Sequence, residues 1–340
     1  MITPVRILAF ACVALCASSA LAVPPTRFDD APPACRGRSL LQELQQRAPD
    51  RLRAALDRAA EVPNGEGLLW RVEKRGVAPS YLFGSMHATD PRVVALPQVV
   101  RDALAKARLV AKEVIELADP ATADAMAQKL VAAASVPGGG SLDYLTDARA
   151  RNAVEAAVGE YGIAPEAAGY LRPWFLWVLL STPNCEFARQ QAGLATVDQI
   201  VASARADGTR LVGLESSEEQ IGALTELNEL AKRAVVATAR LGQRRVDLYA
   251  TLVDIYAQRR PRVLREVLAE SGVYTPEELA AFDAINERTI ARRNDRLAER
   301  ALPLLQDGGA FIAVGALHLS GANGLVAQFG KAGYKLTRLW

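Results

Sequence analysis

Short apolar runs alternate with longer stretches of helical periodicity along most of the 340-residue chain. Two apolar runs, at residues 68–74 and 80–86, are separated only by RGVAP and predict a β-hairpin. Four further runs have the length and composition of strands, at residues 109–115, 210–215, 310–317 and 334–340. Strands mixed with many helices predict a layered α/β or α+β fold, in which helices flank a β-sheet core.

Helical periodicity dominates the rest of the sequence. The predicted helices cover residues 39–60, 92–107, 121–134, about 141–182, 195–206, 217–306 and 320–331. Ser39 is predicted to cap the first of these segments, and Pro49 is predicted to split it into two helices. The pattern predicts one domain over residues 39–340, with a helical insertion at about 217–306 that forms a cap or a side layer.

The N-terminal residues 1–22 have the features of a secretory signal peptide. Arg6 precedes an apolar stretch at residues 7–17, and the small-residue motif ALA ends at Ala22. We therefore expect cleavage near Ala22, export to the periplasm or beyond, and no membrane span in the mature chain. A membrane anchor is the alternative, although the apolar stretch is shorter than the ~20 residues that cross a bilayer. Residues 23–38 are Pro-rich and predict an irregular N-terminal arm.

The charge of the chain is nearly balanced. Lys and Arg together number 40, Asp and Glu number 38, and the net charge is +2. Proteins that bind nucleic acid usually carry a strong basic excess on one face. The composition therefore argues against a nucleic-acid partner, and the predicted partner is a peptide or a small-molecule substrate.

Removal of the signal peptide would leave two cysteines, Cys35 and Cys185. An exported protein meets oxidising conditions, in which a pair of cysteines favours a disulfide bond. A Cys35–Cys185 disulfide is predicted, and two free buried thiols are the alternative.

The chain contains only two histidines, and both follow a glycine by three positions. His87 ends the predicted strand SYLFGSMH, and His318 ends the predicted strand AFIAVGALH. Open α/β sheets bind their ligands at the carboxyl ends of strands, so the two side chains are expected to converge. Histidine is a common metal ligand and a natural acid or base near neutral pH.

Catalytic metal sites usually have three protein ligands, often two histidines and a carboxylate. With two histidines in the chain, a carboxylate must complete the predicted site for Zn, Mn or Co. The candidate carboxylates are Glu113, Glu116, Glu215 and Glu219. Glu113 is predicted to lie inside an apolar strand, where a charge needs a partner or a metal, and Glu215 is a candidate general base. A metal-free His/Glu acid–base site and a purely structural role for both histidines are the alternatives.

Other polar residues are predicted to support this site. Ser85 lies in the first histidine motif and is assigned to substrate binding together with Arg293 and Asn294, which could contact a carboxylate or carbonyl group. Ser216 or Ser217 is predicted to cap the helix that follows strand 210–215. The motifs H-E-x-x-H, G-x-S-x-G and Walker A do not occur in the sequence.

The paired motifs GSMH and GALH resemble the hallmark of the TraB/GumN family, which is related to the Tiki-type proteases. Further similar segments are LLWRVEK…SYLFGSMHATD, the strand around Glu113, VDQIVASARADGTRLVGLESSEEQ and RNDRLAERALPLL…FIAVGALHLSGANGLVAQFGKAGYKLTRL. The resemblance covers about residues 35–340. One departure is that Ile115 stands where the family strand often has Asp, and Glu116 comes one position later.

The resemblance implies a compact α/β domain and a metal site formed by His87, Glu113 and His318, with Glu215 as a further candidate. It also implies an activity like that of the metal-dependent peptidases among the Tiki-type proteins. Other relatives are proposed to bind haem or to act in exopolysaccharide export or pheromone shutdown. We therefore expect an exported metal-dependent hydrolase, with a peptidase as the favoured class. A non-catalytic periplasmic ligand- or haem-binding protein and an accessory factor in polysaccharide export are the alternatives.

Overall fold

A computed structural model describes residues 32, 34–115, 120–205 and 208–340 of the chain. The predicted signal peptide, most of the N-terminal arm and Glu116 lie outside the described residues. Within the described part of the chain, no helix has the length and apolar character needed to cross a membrane.

A single mixed β-sheet forms the centre of the described structure. Its six strands are β1 (Leu69–Glu73), β2 (Ser80–Ser85), β3 (Leu109–Lys112), β4 (Arg210–Gly213), β5 (Ala310–Gly315) and β6 (Lys335–Arg338). The strand order is β4-β3-β5-β2-β1-β6. Strands β4, β3, β5 and β2 are parallel, whereas β1 is antiparallel to both β2 and β6. The predicted strands and the hairpin are confirmed.

The register of the parallel strands decides where the candidate residues emerge. Ser85 of β2 pairs with Gly315 of β5, and Lys112 of β3 pairs with Ala313 of β5. Because the carboxyl ends of parallel strands lie at the same edge of a sheet, the three segments that leave β2, β3 and β5 emerge side by side. The chain therefore brings both histidine motifs and the Glu113 segment to one edge.

Helices surround this sheet and also form a separate helical layer. In chain order they are α1 (Leu40–Arg47), α2 (Pro49–Ala60), α3 (Pro91–Val94), α4 (Gln98–Ala105), α5 (Pro120–Ala134), α6 (Ala148–Gly159), α7 (Pro165–Ala168), α8 (Pro173–Ser181), α9 (Asn184–Gln191), α10 (Val197–Ser203), α11 (Ser217–Thr225), α12 (Asn228–Ala239), α13 (Arg244–Ala257), α14 (Val263–Ser271), α15 (Pro276–Asn286), α16 (Arg292–Gln306) and α17 (Leu325–Lys331). A π-helix (Glu287–Ala291) joins α15 to α16, and a 3-10 helix (Ala316–His318) follows β5.

Side chains alternate between the two faces of the sheet, and each face has its own core. On one face Val110 packs with α4, α10 and α13. On the other face Leu109 and Ile312 pack against α16 and α17. A further core, centred on Trp174 and Phe175 of α8, lies within the helical layer that includes α12. These layers confirm the predicted α/β class.

Several predicted boundaries were wrong. Strand β3 ends at Lys112, so Glu113 lies after the strand and not inside it. The reason is local: the N–H of Gly315 is bonded to the Glu113 side chain instead of to a strand carbonyl. The predicted helix 92–107 is two helices, α3 and α4, because Pro97 cannot continue a helix from its preceding turn.

Two predictions of helix capping had different outcomes. Ser216 caps α11, with its side chain accepting from the N–H of Glu219 while the Glu219 carboxylate accepts from the N–H of Ser216. Ser39 occupies the N-cap position of α1, but its hydroxyl makes no hydrogen bond within the described residues. The predicted break at Pro49 is confirmed, since α1 ends at Arg47 and α2 begins at Pro49.

The predicted disulfide between Cys35 and Cys185 is present. It links the segment before α1 to helix α9 across a sequence separation of 150 residues. The N-terminal segment is therefore attached covalently to a helix next to the sheet edge at which both histidine motifs emerge.

Candidate functional site

The two glycine–histidine motifs pack directly against each other at the sheet edge. A Cβ atom at Gly84 would lie only 3.0 Å from Cα of Ala316 and 2.7 Å from Cδ1 of Leu319. Gly84 therefore permits the close approach of the segment that carries His318. At Gly315, by contrast, a Cβ would meet Glu113 and His318 at ordinary contact distances of 3.5 and 3.6 Å.

His318 is a buried imidazole whose orientation is fixed by Asn294. Nδ1 of His318 lies 2.6 Å from Oδ1 of Asn294, and Nδ2 of Asn294 donates to the carbonyl of Asn323 at 2.9 Å. Because that carbonyl can only accept, the amide orientation is set, and Nδ1 of His318 must be the donor. Burial lowers the pKa of His318 to about 4, so Nε2 carries a free lone pair near neutral pH.

Glu113 faces that lone pair from the end of β3. Its Oε1 lies 3.7 Å from Nε2 of His318 and accepts from the N–H of Gly315 at 2.7 Å. Its Oε2 accepts from Nη2 of Arg293 at 2.6 Å. Burial would raise the pKa of the Glu113 carboxyl, but His318, Arg293 and the Gly315 N–H together outweigh burial and lower the pKa.

Arg293 lies between Glu113 and a second carboxylate, Glu215. Nε of Arg293 donates to both oxygens of Glu215 at 3.0 and 3.2 Å, and Nη2 donates to Oε2 at 2.5 Å. Arg296 approaches Oε1 of Glu215 at 3.4 Å. The Glu215 side chain is 0% exposed. Two guanidinium groups thus balance the two carboxylates on this side of the site.

A π-helix places Arg293 and Asn294 at the beginning of α16. Nη1 of Arg293 donates to the carbonyl of Thr289, which lies inside the π-helix, at 2.9 Å. Turns of π-helix are rare and often occur at functional sites. This turn directs two consecutive side chains into the site, toward Glu113 and toward His318.

His87 lies in the loop after β2 and forms a second acid–histidine pair with Asp198. Its side chain is 74% exposed, and Nδ1 lies 2.9 Å from Oδ2 of Asp198, which is buried at the start of α10. The negative charge of Asp198 raises the pKa of His87 to about 9. Oδ1 of Asp198 accepts from the hydroxyl of Ser85 at 2.8 Å.

The loop that follows His87 is held by a buried carboxylate. Glu186 of α9 accepts from the N–H and the hydroxyl of Thr89, at 2.8 and 2.9 Å, and from the hydroxyl of Tyr249 at 2.6 Å. Arg189 of the same helix donates to the Thr89 hydroxyl at 2.9 Å and to its carbonyl at 3.1 Å. Cys185 is the neighbour of Glu186, so the disulfide and the two residues that bind Thr89 are on one helix.

Residues 68–338 match the model of the TraB/PrgY/gumN family. The chain belongs to this family. The matched range begins just before β1 and ends with β6, so it includes both glycine–histidine motifs and the whole sheet. No curated protein and no solved structure matches the chain. The resemblance expected from the paired motifs is thus confirmed at the level of the family.

In this TraB/PrgY/gumN protein the three predicted metal ligands divide between two pairs. His318 pairs with Glu113, and His87 pairs with Asp198. Across the described ranges, no group of three or more His, Cys, Asp or Glu side chains is arranged to hold a metal ion. Four potential ligands therefore lie at one edge of the sheet without forming a single closed cluster.

The side chains predicted to bind substrate are buried in this family member. Ser85 is bonded to Asp198, Arg293 to two glutamates, and Asn294 to His318 and to a backbone carbonyl. Through these contacts the three side chains position the carboxylate and imidazole groups of the site. Direct contact with a substrate stays a prediction for these three residues.

Sequence reasoning missed Asp198 and Glu186. Asp198 follows Thr196, a capping residue, so an acidic side chain there is explained by the positive end of a helix. The one available signal was that Asp198 lies in the segment VDQIVASARADG, which resembles the TraB/PrgY/gumN family. Glu186 gives no signal in the sequence, since its partners Thr89 and Tyr249 are far from it along the chain.

Proposed function

We propose that this protein is an exported metal-dependent hydrolase that acts on a peptide or a similar carbonyl compound. The observation that carries the proposal is the pair of acid–histidine contacts at the carboxyl edge of the parallel strands, His318 with Glu113 and His87 with Asp198. Enzymes with open α/β sheets place their sites at this edge. The Cys35–Cys185 disulfide supports export, because such bonds persist in oxidising compartments.

The imidazole and carboxylate groups of the site are of the chemical types that bind divalent metal ions. Two imidazoles and a carboxylate are a common ligand set for catalytic zinc. Two ligand atoms about 2.1 Å from a metal in a tetrahedral arrangement are about 3.4 Å apart, close to the 3.7 Å between His318 Nε2 and Glu113 Oε1. His87 is the exposed member, and its side chain would have to turn toward that pair to complete the predicted three-ligand site.

A bound metal would lower the pKa of a water molecule and polarise a substrate carbonyl. The chain itself prepares the ligands. Asn294 holds the Nε2 lone pair of His318 toward Glu113, and Arg293 keeps Glu113 ionised. The Glu113 side chain is 15% exposed, whereas that of Glu215 is 0% exposed, so of these two carboxylates Glu113 is the one that can reach bound water.

Glu215 is a poor candidate for the predicted general base. Its side chain is wholly buried, and guanidinium groups donate to both of its oxygens. A carboxylate held in this way has neither access to water nor a free position for a proton. We assign to Glu215 the role of orienting Arg293, which in turn orients Glu113.

A metal-free acid–base hydrolase is the second candidate, and one observation favours it. The pKa of His87 is raised to about 9 by Asp198, whereas burial lowers that of His318 to about 4. Two titratable groups with opposite shifts can act as acid and base at the same pH. In this alternative, exposed His87 donates a proton to the leaving group, and Glu113 with His318 accepts one from water.

Metal content tests the first candidate against the second. The purified protein is dialysed against Zn, Mn or Co, and its metal is measured by mass spectrometry beside the double variant His87→Ala/His318→Ala. We expect about one ion per chain in the wild type and none in the variant. Asp254→Asn, a change at a surface ion pair with Arg92, is the control and should retain the ion.

Hydrolysis is then measured on a peptide library with and without a chelator. Loss of cleavage on chelation, restored by one of the three metals, is the expected result. Cleavage that persists in chelator, by a protein that takes up no metal, would replace the first candidate with the acid–base mechanism.

A further inference from the structure

Lys112, the last residue of β3, is a lysine of the site that binds no acidic side chain. Alternation along the strand puts it on the same face as Val110, whose side chain packs in the core with α10. Its partners on the neighbouring strands are Gly213 of β4 and Ala313 of β5, so neither strand places a polar side chain beside it. Within the described residues, its ammonium group donates no hydrogen bond and forms no ion pair.

The charges of both acid–histidine pairs act on Lys112. Burial lowers the pKa of its ammonium group, whereas the carboxylates of Asp198 and Glu113 act in the opposite direction. Asp198 has the largest effect on the pKa of His87, and Glu113 and Lys112 act on it at longer range. The Lys112 side chain is half-buried, and Nζ is not a fully enclosed atom. Lys112 therefore lies near both pairs and is open to the space outside the sheet edge.

The carboxylates near Lys112 already have hydrogen-bond donors. Glu113 accepts from Nη2 of Arg293 at 2.6 Å, and Asp198 accepts from the hydroxyl of Ser85 at 2.8 Å. A charged group that is half-buried without a protein partner costs free energy. Active sites contain such groups where negative charge develops during a reaction, because a donor that is already in place needs no rearrangement.

We propose that the Lys112 ammonium group binds the carbonyl oxygen of the substrate and stabilises the oxyanion that forms there during hydrolysis. This inference rests on the proposed function, because it concerns the same reaction. Lys112 and Glu113 are consecutive residues at the end of β3. One strand end therefore supplies the donor to the oxyanion and the carboxylate that can reach water.

The hydrolytic step assigns a position to each charge. The oxygen of water adds to the carbonyl carbon, a proton of that water passes to Glu113, and the electron pair of the C=O double bond moves to the carbonyl oxygen. The negative oxygen then accepts from Lys112. When the adduct collapses, the C=O bond re-forms, the C–N bond breaks and the leaving nitrogen takes up a proton. The products are a carboxylic acid and an amine.

The competing role for Lys112 is that of a structural counter-charge that holds Asp198 of α10 near the sheet. The two side chains form no ion pair, and Asp198 has nearer contacts with Ser85 and His87. A structural lysine and an oxyanion donor predict different kinetics. Loss of a structural contact disturbs the binding of every ligand of the site, whereas loss of an oxyanion donor affects only the transition state.

Kinetics on a peptide that the wild-type protein cleaves test the inference. Lys112→Met should lower kcat by about 100- to 1000-fold, the cost of one oxyanion donor. Its KM should stay within about threefold of the wild-type value, because the contact forms fully only in the transition state. Lys112→Arg should recover part of kcat. Lys106→Met, which removes an exposed lysine just after α4, is the matched control and should retain wild-type kinetics.

Two inhibitors measure the same contact without turnover. The phosphinate analogue of the cleaved peptide presents a tetrahedral anionic group, whereas the ethylene isostere has CH2–CH2 in place of the amide and no oxygen. Lys112→Met should weaken phosphinate binding by about 100-fold and should leave binding of the isostere unchanged. Equal losses for both inhibitors would show a structural role and overturn the inference.

The outcomes separate this inference from the proposed function. Wild-type protein that cleaves no peptide of the library overturns both. Wild-type protein that cleaves, with a kcat for Lys112→Met within about threefold of its own, overturns the role of Lys112 and leaves the hydrolase proposal in place. A higher KM with unchanged kcat has the same consequence, because Lys112 would then bind a carboxylate of the substrate in the ground state. Circular dichroism verifies folding, and Lys112→Gln is the variant to measure if Lys112→Met does not fold.

Discussion

Gly84 of the first histidine motif packs directly against Ala316 of the second. A Cβ atom at Gly84 would lie 3.0 Å from Cα of Ala316, whereas a Cβ at Gly315 would have only ordinary contacts beyond 3.4 Å. The two glycines occupy the same place in their motifs but have different structural roles. The first permits the segments that carry His87 and His318 to approach each other.

Substitution of the two glycines by alanine should have unequal effects. Gly84→Ala should destabilise the protein by about 1–3 kcal/mol, because the added methyl group overpacks a contact with backbone. Gly315→Ala is the matched control, and its effect should lie between no change and about 1 kcal/mol of stabilisation, since its backbone angles suit alanine. Urea unfolding measures both. Equal losses in the two variants would contradict the role assigned to Gly84.

The Cys35–Cys185 disulfide should contribute strongly to stability. It closes a loop with a sequence separation of 150 residues, for which chain entropy gives a stabilisation of about 4–5 kcal/mol at most. The double variant Cys35→Ser/Cys185→Ser should lose stability of that order in guanidinium unfolding, and wild-type protein in reductant should lose the same amount. A variant whose midpoint equals that of the oxidised wild type would show that the bond is dispensable.

The sheet could be predicted because its strands are short apolar runs, of which β2, β3 and β5 are buried along nearly their whole length. Strands that are parallel to one another end at the same edge, so His87 and His318 were expected to come together, and their motifs do. The disulfide could be predicted because removal of the predicted signal peptide leaves two cysteines in a chain expected to meet oxidising conditions. Each of these features depends on local composition or on a simple topological rule.

The pairing of the histidines could not be predicted, because it depends on which distant side chain fills the space beside each ring. Asp198 contacts His87 across more than 100 residues of sequence, and Asn294 contacts His318 from the first turn of α16, directly after a π-helix. The sequence also did not show that two arginines of α16 would contact Glu215, the candidate general base.

The buried hydroxyl of Tyr249 should contribute more to the free energy of unfolding than that of Tyr256. Tyr249 donates to the Glu186 carboxylate at 2.6 Å, whereas Tyr256 donates to the neutral carbonyl of Gly84 at 2.9 Å. Hydrogen bonds to charged groups contribute about 1.5–3 kcal/mol, and neutral ones about 0.5–1.5 kcal/mol. We therefore expect a larger loss in unfolding free energy for Tyr249→Phe than for Tyr256→Phe.

Hydrogen exchange supplies a local measurement for the same pair of variants. The Thr89 N–H is bonded to Glu186, so Tyr249→Phe should speed exchange in the loop that follows His87. Tyr256→Phe should leave the exchange of that loop close to the wild-type rate. A larger loss of stability or a faster exchange of this loop in Tyr256→Phe than in Tyr249→Phe would contradict the role of Glu186 in holding the loop.

The stability of the metal-free protein should fall in acid because of His318. Its pKa of 6.5 in the unfolded chain is lowered by burial to about 4 in the folded protein, so the unfolded state binds the proton first. The stabilisation is fully present above pH 6.5 and is lost as the pH falls toward 4, by about 3 kcal/mol in total. His87, whose pKa is raised to about 9, has the opposite slope above pH 6.5. Urea unfolding in chelator measures the free energy of unfolding of the wild type and of His318→Gln at each pH, and the difference between them isolates the contribution of His318. A difference that stays constant between pH 6.5 and 4 would contradict this contribution.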